Sequence, residues 1–285
     1  MSCSLLSEAR VLVVTPTLGQ SAHLAEALES VHRAGIAVQH VIVVPKKNAA
    51  NVIRVCPRCT VVTEEAGRGI YHAIELGLRA AAPWEWFTYL NDDDLLTSGF
   101  GEVAEQHVAT ADASTIAFGE VRMIDEDGRN LGLMPVERRT DRFAWLMKQG
   151  VPPMTQQGTI ISHAVYSRLN GFDTRYQLVA DFDFWTRAVV ASVRFQYFPR
   201  EVGRWRIHSG QASMNRMLAS AEMRAIGDSI AMPTSVARLR WERLRYCAAN
   251  LPRYVERYRM TGVVRSGALF ARMASRSTAP SGSTR

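Results

Sequence analysis

The stretch RVLVVTPTLGQSAHLAEALESV, residues 10–31, changes its periodicity half-way along, and that change decides the fold class. RVLVVT is a short continuous apolar run, as expected of a strand buried on both faces. PTLGQS interrupts it with proline and glycine. From His23 onward, Leu24, Ala27, Leu28 and Val31 recur at helical spacing, with Ser21 available as a cap. The unit is strand, loop and helix, and it is repeated downstream. VIVV (41–44) and TVVT (60–63) are further strand signals, Ile70, Ala73, Ile74, Leu78 and Ala81 mark one face of a second helix, and residues 86–90 form the next strand. Such alternation predicts an α/β fold, a Rossmann-like, mostly parallel sheet flanked by helices. Ligands of such sheets bind beyond the carboxyl ends of the strands, where both PTLGQS and NDDD (91–94) lie.

Beyond Leu96 the pattern loosens. STIAFG (114–119) and VRMI (121–124) suggest a strand pair, DEDG (125–128) a turn, DRFAWLMKQG (141–150) a helix and GTIIS (158–162) a strand. NGFDTRYQLVADFDFWTRAVV (170–190) passes from a glycine turn into a helix beginning near Asp181, and RFQYFPREVGRW (194–205) returns as a strand. There is no internal repeat.

The totals are those of a soluble globular protein: 285 residues, 47% hydrophobic and 21% charged. No apolar run approaches a membrane span, and MSCSLLSEAR lacks the form of a signal peptide, so a cytoplasmic location is expected. Four cysteines do not make a disulfide framework. Cys56 and Cys59 form a CPRC pair, but no second pair or neighbouring His completes a tetrahedral site in the sequence, and two ordinary thiols are expected. The net charge is +7, and residues 234–276 carry ten arginines against Glu242 and Glu256, which leaves the remainder near neutral. A basic surface of that kind seeks phosphate groups. Trp241, Tyr246, Tyr254 and Tyr258 interleave with the arginines. The favoured reading is a helix pair that packs on the domain and touches an anionic membrane surface, making the protein peripheral on the inner face of the plasma membrane; nucleic acid is discounted. STAPSGSTR at the end has a disordered composition.

Two acidic groups carry the chemistry. In YLNDDDLL (89–96) an apolar strand runs straight into three aspartates, which form either a solvated turn or a divalent-metal site. Asp181 and Asp183 start a helix, as caps or with one of them as a general base.

Taken in order, VVTPTLGQSAHLAEALESV, GRGIYHAIELGL (67–78), YLNDDDLL, QQGTIISHAVYSRLNGFDTRYQLVADFDFWTRA (156–188) and RWRIHSGQAS (204–213) resemble the family-2 glycosyltransferases with the GT-A fold, over about residues 11–213. The resemblance implies metal-dependent, inverting transfer of a sugar from a nucleoside diphosphate to a hydroxyl of a glycan or lipid-linked glycan, in bacterial surface polysaccharide synthesis. It implies Mg2+ or Mn2+ and a nucleotide-sugar donor, UDP-linked by first expectation. It assigns Asp92, Asp93 and Asp94 to the DxD motif, with Asp94 and Asp92 at the metal and Asp93 at the ribose or the metal's waters. Asp181 falls at the catalytic base. Thr15, Pro16 and Thr17 line the nucleotide pocket, Arg206 and His208 lie near the diphosphate, and Lys46, Lys47 or Arg68 meets phosphate or base. The implied organisation is a GT-A domain over 1–233 (nucleotide half about 8–120, acceptor half about 121–233), a basic helical extension over 234–274 and a tail over 275–285. The chain departs from the family pattern in having PKKNAA (45–50) where an acidic glycine-rich loop is common, Gly67 and His72 where acidic residues are common, and Gln156 where a His often stands. These departures point to altered specificity, with a non-catalytic relative that binds sugar nucleotide or a partner enzyme as the alternative.

Overall fold

The computed structural model describes residues 10–64, 68–110, 113–211, 215–233 and 235–264. Its centre is a nine-stranded mixed sheet. Strands β1 (Val11–Pro16), β2 (Val38–Pro45), β3 (Thr60–Glu64) and β4 (Trp86–Tyr89) run parallel in the order β3-β2-β1-β4. The order then continues through β8 (Thr159–Ser162), β6 (Thr115–Ile124), β9 (Arg194–Arg206) and β5 (Leu95–Leu96), with β7 (Asn130–Leu133) paired to β6. Strand β8 is antiparallel to both of its neighbours, whereas β6 and β9 are parallel.

The apolar run that opens β1 is continuous because both faces are covered. Leu12 and Val14 point into one cluster with Val41, Val43, Ile74, Leu78 and Phe87. Val11 and Val13 point into another with Val31, Phe100 and Ala104. The alternation therefore sorts neighbouring residues onto opposite faces. Helices α1 (Leu24–His32), α2 (Ala49–Val55) and α4 (Ser98–Thr110) accompany the strands together with α3 (Ile70–Ala80). At Gly77 a Cβ would sit 2.6 Å from Val14 Cγ1, so α3 rides directly on β1 only because that position has no side chain.

The later part of the chain adds α5 (Phe143–Met147), α6 (His163–Arg168), α7 (Ala180–Val190) and α8 (Arg216–Ser229). Two helices close the chain, α9 (Val236–Ala249) and α10 (Leu251–Thr261). Gly132, at φ +98°, lets α10 approach β7, where a Cβ would meet Arg257 Cα at 3.3 Å.

Several expectations change. The pair expected over 114–124 is one ten-residue strand, β6, whose register with β9 shifts around Gly119. PKKNAA, for which no element was expected, forms a 3-10 turn, Lys46–Asn48, that leads into α2. Ser21 does not cap α1; its hydroxyl accepts the His23 N–H at 3.2 Å, one step before the helix. Cys56 and Cys59, expected as ordinary thiols with no His nearby, are joined as a disulfide and face His32 and His40, which the β2 strand and α1 bring to them.

Part of the arginine-rich end is turned inward. Glu242 of α9 is fully buried and pairs with Arg142 at 2.7 Å and with Arg238 at 2.7 Å. Arg253 reaches Glu120 on β6, Arg257 donates to Leu133 O at 3.2 Å, and Asn250 exchanges hydrogen bonds with the Val136 backbone at 3.0 and 3.1 Å. Among the described residues no helix is long and apolar enough to cross a membrane. The tail over 275–285 lies outside the described residues.

Candidate active site

A pocket of about 860 Å3 opens beyond the carboxyl ends of β1 and β4, lined by Pro16, Thr17, Asp92, Asp93, Asp181 and His208 among others. Chain geometry alone brings these residues together: Pro16 and Thr17 end β1, the aspartates follow β4, Asp181 opens α7 and His208 follows β9. Ligand sites of parallel sheets lie at this edge.

The three consecutive aspartates have three different fates. The Asp92 carboxylate accepts a short hydrogen bond from the Thr17 hydroxyl, and Ser21 Oγ donates to its backbone carbonyl at 3.2 Å. Burial, helped by the neighbouring Asp93 charge, raises its pKa to about 6, against the Thr17 hydrogen bond. Asp93 faces the pocket, with Oδ2 2.8 Å from His208 Nε2. That hydrogen bond, aided by the acidic surroundings, raises the imidazole pKa. Asp94 turns inward and is 0% exposed. Its Oδ2 accepts from Gln157 Nε2 at 2.8 Å and Asn91 Nδ2 at 3.2 Å, while Oδ1 accepts the Arg206 N–H at 2.9 Å. Burial and the adjacent Asp93 push its pKa up, and these hydrogen bonds oppose that rise.

Asp94 therefore does not fit the metal position expected of it, because both oxygens are committed inside the protein. Asp93 and Asp92, one and two residues earlier, present the carboxylates to the pocket. With the His208 imidazole they are the pocket groups able to ligate a divalent cation such as Mn2+ or Mg2+.

Arg206 is a second correction. It is 1% exposed, and its guanidinium donates to Asp93 O at 2.9 Å, to the carbonyls of Asp125 and Glu126 at 3.3 and 3.1 Å, and to Glu26 Oε2 at 2.6 Å. It clamps the aspartate turn from behind and does not line the pocket. Thr15 is likewise fully buried, 2.9 Å from His40 Nε2, so only Pro16 and Thr17 of that trio reach the pocket. Arg68, Lys46 and Lys47 are outside the lining, and all three are exposed.

On the opposite wall Asp181 accepts from Tyr71 OH at 3.0 Å and from the Phe182 N–H at 2.8 Å, both on Oδ1. Burial raises its pKa to about 6, against the pull of these two donors. Tyr71 is itself buried and also donates toward Leu178 O at 3.2 Å, so the start of α3 is tied to the start of α7. Asp183 points away and pairs with Arg187 at 2.7 Å. Tyr71 and Gln157 are the site residues that sequence reasoning missed. Both lie inside the stretches GRGIYHAIELGL and QQGTII, but nothing in the sequence signals that a tyrosine 110 residues before the aspartate would hold it, or that one of two adjacent glutamines would hold Asp94.

A sequence profile described as glycosyltransferase like family 2 matches residues 9–226, well over half the chain. This chain belongs to glycosyltransferase family 2. Solved structures agree on the fold. The mannosyltransferase PcManGT from Pyrobaculum calidifontis, in complex with GDP-Man and Mn2+, superposes with a TM-score of 0.55 at 19% identity, covering 96% of this chain and 82% of that one. S. aureus TarS 1-349 in complex with UDP-GlcNAc gives a TM-score of 0.57 at 12% identity, covering 93% and 79%. Without the sugar nucleotide, TarS 1-349 gives 0.54 at 14%, covering 84% and 72%. A search of curated proteins gives no match. The family-2 chain is thus a transferase with a GT-A fold.

Proposed function

We propose that this family-2 enzyme moves a sugar from a nucleoside diphosphate to a hydroxyl of a glycan or lipid-linked glycan, with inversion at the anomeric carbon. The observation that carries the reading is the sharing of one pocket by two separate carboxylate groups, Asp92 and Asp93 beside His208, and Asp181 on α7. Asp93, His208 and Asp92 would hold Mg2+ or Mn2+. When bound, the cation offsets the negative charge that grows on the departing diphosphate. TarS and PcManGT, whose structures carry UDP-GlcNAc and GDP-Man with Mn2+, support a nucleotide-sugar donor and a divalent cation in general.

Asp181 is the proposed base. A carboxylate with a pKa of about 6 is mostly ionised at neutral pH and still close enough to it to take a proton. Tyr71 and the α7 N-terminus hold Oδ1, which leaves Oδ2 to face an acceptor hydroxyl. That hydroxyl gives its proton to Asp181 as its oxygen bonds to the anomeric carbon, and the bond from that carbon to the β-phosphate oxygen breaks with the electron pair leaving on the diphosphate. No sugar–enzyme bond is needed. Trp185, Met154, Met223 and Pro152 supply an apolar wall on the acceptor side, suited to the faces of sugar rings. The outward arginines of α9 and α10 would bring the enzyme to anionic membranes where a lipid-linked acceptor resides.

The test is a thermal-shift panel of UDP, GDP, CDP and dTDP, each with and without Mn2+, on the wild type and on Asp93→Ala. One nucleotide is expected to stabilise the wild type only with Mn2+, and to lose that effect in Asp93→Ala. Absence of any nucleotide-dependent shift at millimolar concentration would overturn the reading.

A further inference from the structure

We propose that His32, His40, Cys56 and Cys59 form a Cys2His2 zinc site in the reduced protein, separate from the catalytic pocket. None of the four lines that pocket. One ligand atom from each lies within 4.8 Å of the others. The nitrogen-to-sulfur separations are 3.5 Å from His32 Nε2 to Cys56 Sγ, 3.5 Å from His32 Nε2 to Cys59 Sγ and 3.4 Å from His40 Nδ1 to Cys59 Sγ. Zn–S bonds of about 2.3 Å and Zn–N bonds of about 2.05 Å at the tetrahedral angle give an N···S edge of about 3.6 Å. The imidazoles therefore already stand at the spacing that a shared zinc ion requires.

The surroundings fit as well. His40 is buried, and its second nitrogen, Nε2, lies 2.9 Å from Thr15 Oγ1. With metal on Nδ1, the ring proton sits on Nε2 and donates to that hydroxyl, the kind of outer partner that fixes a ligating histidine. His32 ends α1 on the exposed side, which leaves an entry path. Cys56 caps α2, and the Cys59 N–H donates to Cys56 O at 3.3 Å, so the CPRC segment is a tight turn that aims both sulfurs at the histidines. Two thiolates and two neutral imidazoles would leave the complex with no net charge, as partial burial demands. Sulfur and imidazole ligands select zinc over the hard cations suited to the carboxylates.

The sulfurs are bonded to each other in this structure. Zinc takes them as thiolates, so the site belongs to the dithiol form. An external thiol reductant supplies two electrons and two protons, becoming a disulfide itself, and zinc then displaces one proton from each cysteine. A disulfide alone has no use for two imidazoles facing its sulfurs. The ion would fasten α1, β2, α2 and the start of the edge strand β3 to one another. Through Thr15 the fastening extends to the end of β1, next to the pocket residues Pro16 and Thr17.

The test uses tag-free full-length protein reduced with a phosphine and titrated with Co2+, then Zn2+. One Co2+ per chain is expected, with the visible bands of a tetrahedral ion and a thiolate charge-transfer band, all displaced by Zn2+. The bands should vanish in Cys56→Ser/Cys59→Ser and persist in Cys247→Ser. His32→Ala, at an exposed helix end, should weaken Zn2+ affinity more than tenfold against a chromophoric chelator while circular dichroism stays unchanged. Substoichiometric zinc in the reduced protein, a cobalt spectrum with no tetrahedral or thiolate bands, or unchanged affinity in His32→Ala would each overturn the proposal.

Discussion

Asp93 and Asp94 are chemically identical neighbours, and the turn that follows β4 gives them opposite surroundings. The Asp94 N–H donates back to Asn91 O at 3.2 Å, which swings its carboxylate under the turn and leaves Asp93 at the pocket. Three aspartates in a row carry no mark of which one faces outward, so the sequence alone does not say that Asp93 reaches the pocket and Asp94 is buried. The distinction is measurable in urea unfolding. Asp94→Ala strips acceptors from the buried Gln157 amide and Arg206 N–H and is expected to cost about 2–4 kcal/mol. Asp93→Ala breaks only a half-buried contact to His208 and should cost under about 1 kcal/mol, while removing the Mn2+-dependent nucleotide response. Equal losses for both variants would show that Asp93 is also structural. Asp181 was legible as a helix-start carboxylate, whereas its Tyr71 partner was not, since that contact spans two separate helices. Because burial raises its pKa to about 6 from an unfolded value near 4, the folded state binds the proton more tightly. Its ionisation therefore costs stability as pH rises through that window. Asp181→Asn should abolish transfer by about 10²-fold or more. It should keep donor binding and raise stability at pH 7.5 by on the order of 2 kcal/mol, a gain that fades as pH falls from about 6 to about 4 and is absent below that. Wild-type transfer should rise with pH through about 6. Near-normal transfer in Asp181→Asn would remove the residue from the base role.

At the scale of elements, α1, α3 and the parallel strands of the first half were readable because each writes its own period into consecutive residues, whereas α2 and α4 went unread. Strand β8 was readable as a strand but not as the antiparallel insert between β4 and β6, since pairing partners lie tens of residues away. The arginine-rich helices show the same limit more sharply. Arg253 and Arg257 look like surface charge in the sequence, yet their partners are Glu120 and the carbonyls of Met134 and Leu133, more than a hundred residues earlier. Glu242 is the pivot of this packing. It is fully buried between Arg142, itself paired to Glu137 at 2.9 Å, and Arg238 of its own helix. Glu242→Ala leaves the buried Arg142 with one carboxylate in place of two, and is expected to cost about 3–5 kcal/mol. Glu242→Gln, which keeps a hydrogen-bond acceptor, should cost visibly less. Chemical denaturation of the two variants checks the order, and a cost below about 1 kcal/mol for Glu242→Ala would mean that α9 is not anchored through this cluster.

For the whole molecule, the net charge of +7 has to be divided between arginines turned inward and those left outside. Arg240, Arg243 and Arg259 are exposed, in company with Trp241 and Leu244 on α9 and Leu251 and Tyr258 on α10. Spacings of three and seven residues put each apolar pair on one side of its helix. Aromatic and aliphatic groups beside arginines are what an anionic bilayer surface takes up, the apolar groups entering the headgroup region and the cations meeting phosphate. Deleting the helices would not test this. Removal of residues 234–285 takes Glu242 from Arg142 and Arg253 from Glu120, so lost binding could not be separated from lost folding. Trp241→Ser/Leu244→Ser instead changes only exposed side chains, at 53% and 60% exposure, and should leave the melting temperature within about 2 °C of wild type. Sedimentation with anionic vesicles at low salt should show binding by the wild type, weakening about tenfold in the double variant and disappearing with neutral vesicles. If the wild type fails to sediment with anionic vesicles at low salt, the outward arginines serve solubility and the acceptor must reach the pocket without a membrane to hold it. If binding is strong but indifferent to Trp241 and Leu244, charge alone draws the enzyme to the surface, and it should be released by raising ionic strength to physiological values.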